Sequence, residues 1–366
     1  MAKTDKKHTP LVHIVKRDPA TLTWQYKILV RAIAIVVAMI VSGLLITALS
    51  GKNPLQVYKS MISGVFGTER RLWNTAQGMA MLLCVSLAVT PAFKMKFWNI
   101  GAEGQALVGG LACAAVMFFL GESMPLPLLL ITMVVASVVA GMLWAILPAI
   151  FKAFWNTNET LFTLMMNYVA TQLVAWFLKQ YVKSGSGVMD IMPQFGLPVI
   201  GEYKYLLNVL IVALLTVLGY IYLKYSKQGY EISVVGESEN TARYIGINVK
   251  KVIVRTMLIS GAICGVAGLL LVGGTNYTIS TTTIGGRGFT AIMVSWLAKF
   301  NPLYMVLTSF LVVFLELGSQ QLTSDFGISS SIADISTGII LLFIIGCEFF
   351  LQYRVVLNRN RKEAAK

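Results

Sequence analysis

The chain has 366 residues, of which 56% are hydrophobic and only 13% charged, with a mean hydropathy of +0.72. Soluble domains carry about 25% charged residues, so this composition excludes a soluble globular protein and predicts an integral membrane protein. The formal net charge of +14 does not indicate nucleic-acid binding. Of the 30 lysines and arginines, 22 fall in segments predicted to be cytoplasmic, as the positive-inside rule describes.

Ten apolar segments are candidate membrane spans, because a crossing helix needs about 20 mostly apolar residues. Ten crossings place both basic termini in the cytoplasm; eight or nine crossings are the alternatives, since 288–299 is too short to cross alone and is expected to be a half-helix or re-entrant segment. An amphipathic segment, 54–67, is expected on the outer surface. The candidate spans are 28–49, 73–92, 98–120, 126–151, 159–181, 205–223, 253–274, 288–299, 302–318 and 332–352.

These spans divide the chain into a cytoplasmic N-terminal tail (1–27), a permease domain (28–353) and a cytoplasmic C-terminal tail (354–366). The N-terminal tail carries acidic residues and has no cleavage-like stretch before the first span. It is therefore interpreted as a cytoplasmic leader and not as a removed signal peptide.

Several polar residues lie in or beside the spans and are candidates for a translocation path or gate. Glu103 follows the glycine-rich opening of the third span, and an ionisable group there must face protein or water. It can act in a gate, or it can serve a structural role by capping backbone N–H groups or pairing with a basic residue. The other candidates are Phe289 and the polar residues Asn99, Gln105, Asn167, Gln172 and Arg287; interhelical hydrogen bonding explains the polar ones equally well.

Glycines in the spans predict close helix packing and hint at an internal repeat. Gly261 and Gly265 form a small-xxx-small pattern, which lets helix backbones approach closely. The segments 99–106 and 285–291 are distantly alike, each a glycine-rich polar start to an apolar run. Duplicated halves are common in transporters, so a two-fold internal repeat is predicted.

Catalytic motifs are absent from the sequence. No G-x-x-x-x-G-K-[ST] phosphate loop, G-x-S-x-G, H-E-x-x-H or C-x-x-C occurs, so the chain is not expected to be an enzyme or to hydrolyse ATP through a phosphate loop. The four cysteines lie in apolar segments without a pairing pattern and are interpreted as packing residues. Neither a metal site nor a resident cofactor is expected.

A charged cytoplasmic loop, 224–251, interrupts the apolar chain. Within it, 237–246 predicts one short amphipathic helix, because Ser238 or Asn240 can cap its N-terminus and Gly246 falls where a left-handed C-terminal cap is expected. Such a helix can lie on the membrane surface. It can also dock in a groove of a soluble motor subunit and transmit force.

Three segments resemble one family of transporters. The segment 237–247 (ESENTARYIGI) looks like the cytoplasmic coupling segment of permeases in ATP-binding-cassette (ABC) importers, in the branch that handles ribose, branched-chain amino acids and nucleosides. The segment 97–105 (FWNIGAEGQ) is similar to a signature of its nucleoside and simple-sugar subgroup, and 286–290 (GRGFT) with 301–302 (NP) resembles a later signature. The resemblance implies that the ATPase is contacted by Glu237, Ser238, Glu239, Asn240, Arg243, Tyr244 and Gly246.

The resemblance also implies a heteromeric importer in a bacterial cell membrane with an all-α, polytopic, type II (BtuC-like) permease architecture. The expected partners are a second, homologous permease, a cytoplasmic ATPase that holds ATP and magnesium, and an extracellular lipid-anchored substrate-binding protein. Nucleosides are the implied cargo, moved by alternating access.

Three other functions compete with a nucleoside importer. A permease for ribose or another simple sugar is the nearer alternative, because no residue separates a sugar from a nucleoside. A secondary transporter driven by an ion would need an acidic residue deep in a span, whereas Glu103, Glu316 and Asp334 lie near predicted span ends. A structural or receptor subunit without transport is the remaining alternative.

Overall fold

The computed structural model describes residues 12–16, 23–51, 53–182, 187–327 and 329–357, and over these it is almost entirely helical. This confirms the all-α prediction, with one short two-stranded ribbon in addition. The strands are β1 (Val12–Lys16) and β2 (Tyr353–Leu357). The helices are α1 (Trp24–Ser50), α2 (Pro54–Phe66), α3 (Glu69–Lys94), α4 (Ala102–Leu120), α5 (Leu126–Trp155), α6 (Glu159–Tyr181), α7 (Leu206–Tyr225), α8 (Lys227–Glu237), α9 (Glu239–Tyr244), α10 (Val249–Leu271), α11 (Arg287–Leu297), α12 (Pro302–Phe326) and α13 (Ser330–Gln352).

Each of the ten predicted spans coincides with a helix. In the part of the chain that the structure describes, seven helices are long and apolar enough to cross a membrane: α3 to α7, α10 and α12. Helices α1 and α13 contain shorter apolar stretches, Ala32–Ala48 and Ile335–Leu351. Helix α11 has only 11 residues, which confirms the expected short eighth segment.

The described residues form two compact units, and the larger one runs from Thr68 to Phe314. Helix α10 lies at its centre and packs against α3, α4 and α5. A Cβ atom at Gly265 would collide with the Ser137 carbonyl oxygen of α5, and one at Gly109 would lie 3.1 Å from the carbonyl oxygen of Gly265. The helix backbones therefore touch directly, as the small-xxx-small pattern predicts.

The smaller unit comprises 1–67 and 315–366. Helix α1 packs against α13, and the end of α12 contacts α2 through Asp325, which accepts hydrogen bonds from Ser60 and Gln321. Strands β1 and β2 pair antiparallel, with Val12 opposite Leu357 and Lys16 opposite Tyr353. The remaining parts of the predicted tails, 1–11, 17–22 and 358–366, lie outside the described residues.

Candidate functional site

Helix α9 forms for the local reasons that its sequence predicts. The Ser238 hydroxyl oxygen accepts a hydrogen bond from the Thr241 amide at 3.2 Å, which caps the N-terminus. Gly246 has a φ of 85° just beyond the helix end, where the left-handed conformation favours glycine. Of the two predicted caps, Ser238 is the one used, and Asn240 lies inside the first turn.

The loop contains a second helix that the sequence analysis did not predict. Helix α8 precedes α9 and is capped by Ser226, whose hydroxyl oxygen accepts from the Gly229 amide at 2.9 Å. Ile232 and Val235 lie on its buried face. A serine cap followed by apolar residues at helical spacing, Ile232 and Val235, is the signal that could have identified the helix. The expectation of one helix in this loop is therefore wrong.

Helices α8 and α9 are anchored to the adjoining ends of α3, α5, α7 and α10 by an apolar group that we call the coupling cluster. An ion pair between Arg255 of α10 and Glu231 of α8, at 2.8 Å, supports the same contact. Helices α8 and α9 are therefore packed against the long helices, and we call the two together the coupling platform. The cluster contains Ala92, Met95, Phe97, Ala145, Ala149, Leu223, Ile232, Val235, Ala242, Val249, Val252, Ile253 and Met257.

The outward face of α9 carries the predicted contact residues. Tyr244 is 94% exposed, and Arg243 forms an exposed ion pair with Glu239 at 3.2 Å, one turn earlier. Ala242, directly before Arg243, is fully buried in the coupling cluster. One side of α9 is thus fixed to the membrane domain while the other presents an aromatic ring and charges.

A tight turn, 95–101, leads from α3 into α4 and is held by buried amides. The Asn99 Nδ2 group donates to Ser260 Oγ at 3.2 Å and to Gln105 Oε1 at 3.3 Å. Asn99 Oδ1 accepts from Gln105 Nε2 and from the Gly101 amide, both at 3.1 Å. Because this turn precedes it, α4 begins at Ala102 and not at 98 as predicted.

Asn167 of α6 fastens the same turn from the other side. Its Nδ2 group donates to the Ile100 carbonyl at 3.0 Å, and its Oδ1 atom accepts from the Gly104 amide at 2.9 Å. Thr163, one turn earlier, accepts from the Ile100 amide at 3.2 Å. Asn99, Gln105 and Asn167 therefore belong to one buried hydrogen-bond network. Buried polar groups paired in this way rigidify a structure.

Glu103 joins the two glycine-rich segments. Its carboxylate accepts hydrogen bonds from the Gly286 amide at 2.8 Å and the Gly288 amide at 2.7 Å, at the N-terminus of α11. A carboxylate is favourable at this positive end of a helix. A Cβ atom at Gly288 would collide with the Glu103 backbone. Of the two predicted roles of Glu103, the structural one of capping backbone N–H groups is confirmed.

Helix α11 is a half-helix that follows non-helical backbone, 277–286. Gly285 and Gly286, at φ values of 67° and 77°, turn the chain into it. Arg287 donates to the Ile284 carbonyl at 3.0 Å, and Phe289 is 46% exposed. Irregular backbone is tolerated at membrane depth only where it is buried in protein or lines a wet cavity.

The far end of α11 is tied to the same turn and to α3. The Trp98 and Trp296 rings lie 5.5 Å apart, and Ser295 Oγ donates to the Ser86 carbonyl at 3.0 Å. The N-terminal end of α11 therefore contacts the first turn of α4, and its far end contacts the turn 95–101 and α3. Gln172 is not part of this group: it lies exposed near the middle of α6.

The structure brings Asn99, Glu103, Gln105, Asn167 and Arg287 to the junction of α4, α6 and α11, and places Phe289 on its rim. Sequence reasoning missed Thr163 and Ser260, because a single hydroxyl in an apolar helix carries no signal in one sequence. The roles of all these residues in transport stay predictions.

Comparison with known proteins assigns the family. Residues 71–345 match the family model described as "Branched-chain amino acid transport system / permease component". The chain belongs to this family. Its members are permeases, so the chain is a multi-pass membrane permease, and the resemblance of the three segments is confirmed.

Two relatives cover nearly the whole chain. The guanosine ABC transporter permease protein NupP of Bacillus subtilis is 31% identical, over 92% of this chain and 98% of its own length. The glucose ABC transporter permease protein TsgB13 of Haloferax volcanii is 28% identical, over 90% of each chain. Among solved structures, an inward-facing ABC transporter of metal-chelate type matches with a TM-score of 0.43 at 15% identity, covering 87% of this chain and 98% of that one.

Proposed function

We propose that this permease carries nucleosides into a bacterial cell as one subunit of an ATP-driven importer. The observation that carries the proposal is α9, a helix with one face buried in the coupling cluster and an exposed Tyr244 on the other. Tyrosine and arginine are enriched where protein contacts concentrate their binding energy. The similarity to a guanosine permease over 92% of the chain supports the cargo.

ATP hydrolysis belongs, in this proposal, to a separate cytoplasmic subunit that docks on α9. Movement of α9 passes through Ala242 to the coupling cluster, which includes Phe97 of the turn 95–101. The same turn continues into α4, where Glu103 holds the N-terminus of α11. Each step is a direct contact, so a shift of the platform reaches α11 without a flexible link.

The path wall is proposed on α6. Gln172 lies exposed on this helix, together with Tyr168 (63%) and Trp176 (58%), four residues to either side. Residues at this spacing share one helix face. An amide near the middle of a membrane helix is unfavourable against lipid, so this face suits a wet path or a second permease.

The partners are proposed as a second homologous permease, the ATPase with its ATP and magnesium, and an extracellular lipid-anchored binding protein. Both termini are placed in the cytoplasm. The pairing of β1 with β2 supports placing both ends of the chain on the same side of the membrane, because β1 precedes α1 and β2 directly follows α13. Alternating access between two such permeases fits the type II architecture.

Uptake of radiolabelled guanosine, adenosine, uridine and ribose tests the cargo, in cells with and without this chain and with the partner subunits present. We expect deletion to abolish nucleoside uptake and to leave ribose uptake intact. Loss of ribose uptake alone would move the cargo to sugars, the second candidate, which the glucose permease relative favours.

A further inference from the structure

We propose that a pocket at the outer end of α3 is a binding site for the nucleoside on its way into the permease. The inference rests on the proposed function and adds a site to it. The pocket has a volume of about 470 Å³, within the range of about 300–1,000 Å³ that is usual for small-molecule sites. Its lining includes Glu69, Arg70, Trp73, Glu202, Tyr203 and Lys204.

The position of the pocket follows from α3. The C-terminal end of this helix adjoins the coupling platform, where Lys96 donates to the Glu237 carbonyl oxygen at 3.4 Å. The pocket lies at the N-terminal end, beside Glu69 and Arg70. A helix of 26 residues is about 39 Å long, which spans the bilayer core. The pocket and the platform are therefore on opposite sides of the membrane.

The chemistry of the pocket suits a nucleobase joined to a sugar. The Trp73 and Tyr203 rings lie 4.8 Å apart and are tilted by only 31°, and Tyr203 is 42% exposed. An exposed aromatic face can stack on any base. The carboxylates of Glu69 and Glu202 accept hydrogen bonds from ribose hydroxyls and from base N–H groups, while Arg70 supplies donors for base acceptors.

Polar groups lie on the inner side of the pocket. Asn74 lines it, and Gln77, one turn deeper on α3, is buried and donates to Thr275. Thr275 lies in a π-helical segment, Val272–Asn276, that ends α10, and Asn208 donates to the Gly274 carbonyl at 3.1 Å. Such π segments are frequent at functional sites. A chain of polar residues thus connects the lining of the pocket with the irregular end of the central helix.

The Lys204 side chain also connects the edge of the pocket to the end of the π-helical segment. The Lys204 ammonium lies 5.1 Å from the ring centre of Tyr277, the residue directly after the π segment, and 5.4 Å from that of Tyr205. A base carbonyl oxygen that drew Lys204 away would release the Tyr277 ring. The pocket therefore has a contact that can respond to its occupant.

Binding of tritiated guanosine to the purified importer complex in nanodiscs, without the extracellular binding protein, tests the site. We expect the wild-type complex to bind guanosine and excess ribose to leave that binding unchanged. Tyr203→Ala should weaken binding by about fivefold or more, since base stacking on an aromatic ring contributes about 1–3 kcal/mol. Glu202→Gln should also weaken it, whereas Glu122→Gln, an exposed carboxylate in the α4–α5 connection, should not.

Three results would overturn the proposal. The wild-type complex could import guanosine yet bind none without the binding protein. Tyr203→Ala and Glu202→Gln could bind guanosine as the wild type does. Both variants could instead lose affinity only for the binding protein, which would make the pocket a protein-docking surface. Failure of the cargo assignment is a separate result, because it appears as nucleoside uptake that does not depend on this chain.

Discussion

Replacement of Glu103 by glutamine tests the connection between α4 and α11 most directly. The carboxylate accepts two amide hydrogen bonds, at 2.8 and 2.7 Å. Glutamine keeps one acceptor oxygen but turns an NH₂ group toward the other amide, so one bond is lost and the remaining one becomes neutral. Hydrogen bonds to charged groups contribute about 1.5–3 kcal/mol and neutral ones about 0.5–1.5 kcal/mol, so the loss is about 2–4 kcal/mol.

A change of this size shifts the equilibrium between held and released α11 by more than about 30-fold, since each 1.4 kcal/mol is about tenfold. We expect Glu103→Gln to lower guanosine uptake at least about tenfold while ATP hydrolysis continues, because the platform still contacts the ATPase but no longer moves α11. The measurement is uptake and ATPase activity in parallel, in proteoliposomes that contain the partner subunits.

Glu122→Gln is the matched control, because it makes the same chemical change in an exposed connection. Uptake and thermal stability equal to the wild type in Glu103→Gln would refute the reasoning. A parallel loss of uptake and ATPase activity would also contradict it, since the contact would then be needed for assembly and not for transmission. Glu103→Asp keeps the charge on a shorter side chain and should restore part of the coupling.

Three further substitutions have expected outcomes. Tyr244→Ala should reduce ATPase stimulation and uptake without changing thermal stability, since the ring is 94% exposed; normal uptake would argue against docking on α9. Gly265→Ala should lower the thermal midpoint, because overpacking costs about 1–3 kcal/mol and its Cβ would collide with Ser137; an unchanged midpoint in a thermal-shift assay would show that α5 gives way. Gln172→Leu should preserve folding but lower nucleoside uptake, and unchanged uptake would remove Gln172 from the path.

Local rules accounted for the helices but not for all of the charged loop 224–251. Runs of apolar residues predicted the ends of the long helices closely except for α12, which continues past the predicted 318 to Phe326. The Ser238 cap and the left-handed Gly246 at the ends of α9 were predicted from residue type alone. Helix α8 was missed because its sequence is polar and short, and its stability comes from burial of Ile232 and Val235 in the coupling cluster.

The polar residues of the candidate gate also show where prediction from local sequence stops. Glu103 and Asn167 were identified because ionisable and amide groups are costly in lipid. That argument says such a group needs a partner but does not name one. The partners of Asn167 are the backbone of a turn more than 60 residues earlier in the chain, and no spacing rule connects the two.

The sequence by itself determined the membrane location, the positions of the spans, the short helix α9 and the family, because hydropathy, caps and short motifs act over a few neighbouring residues. Only the tertiary structure decided what those residues touch. Glu103 meets Gly286 and Gly288 across 183 and 185 residues of chain, and Trp73 meets Tyr203 at the outer pocket. These contacts depend on how the helices pack. The close approach of glycines to neighbouring backbones around α10 fixes the distances between the central helices, and residues far apart in sequence are brought together as a result.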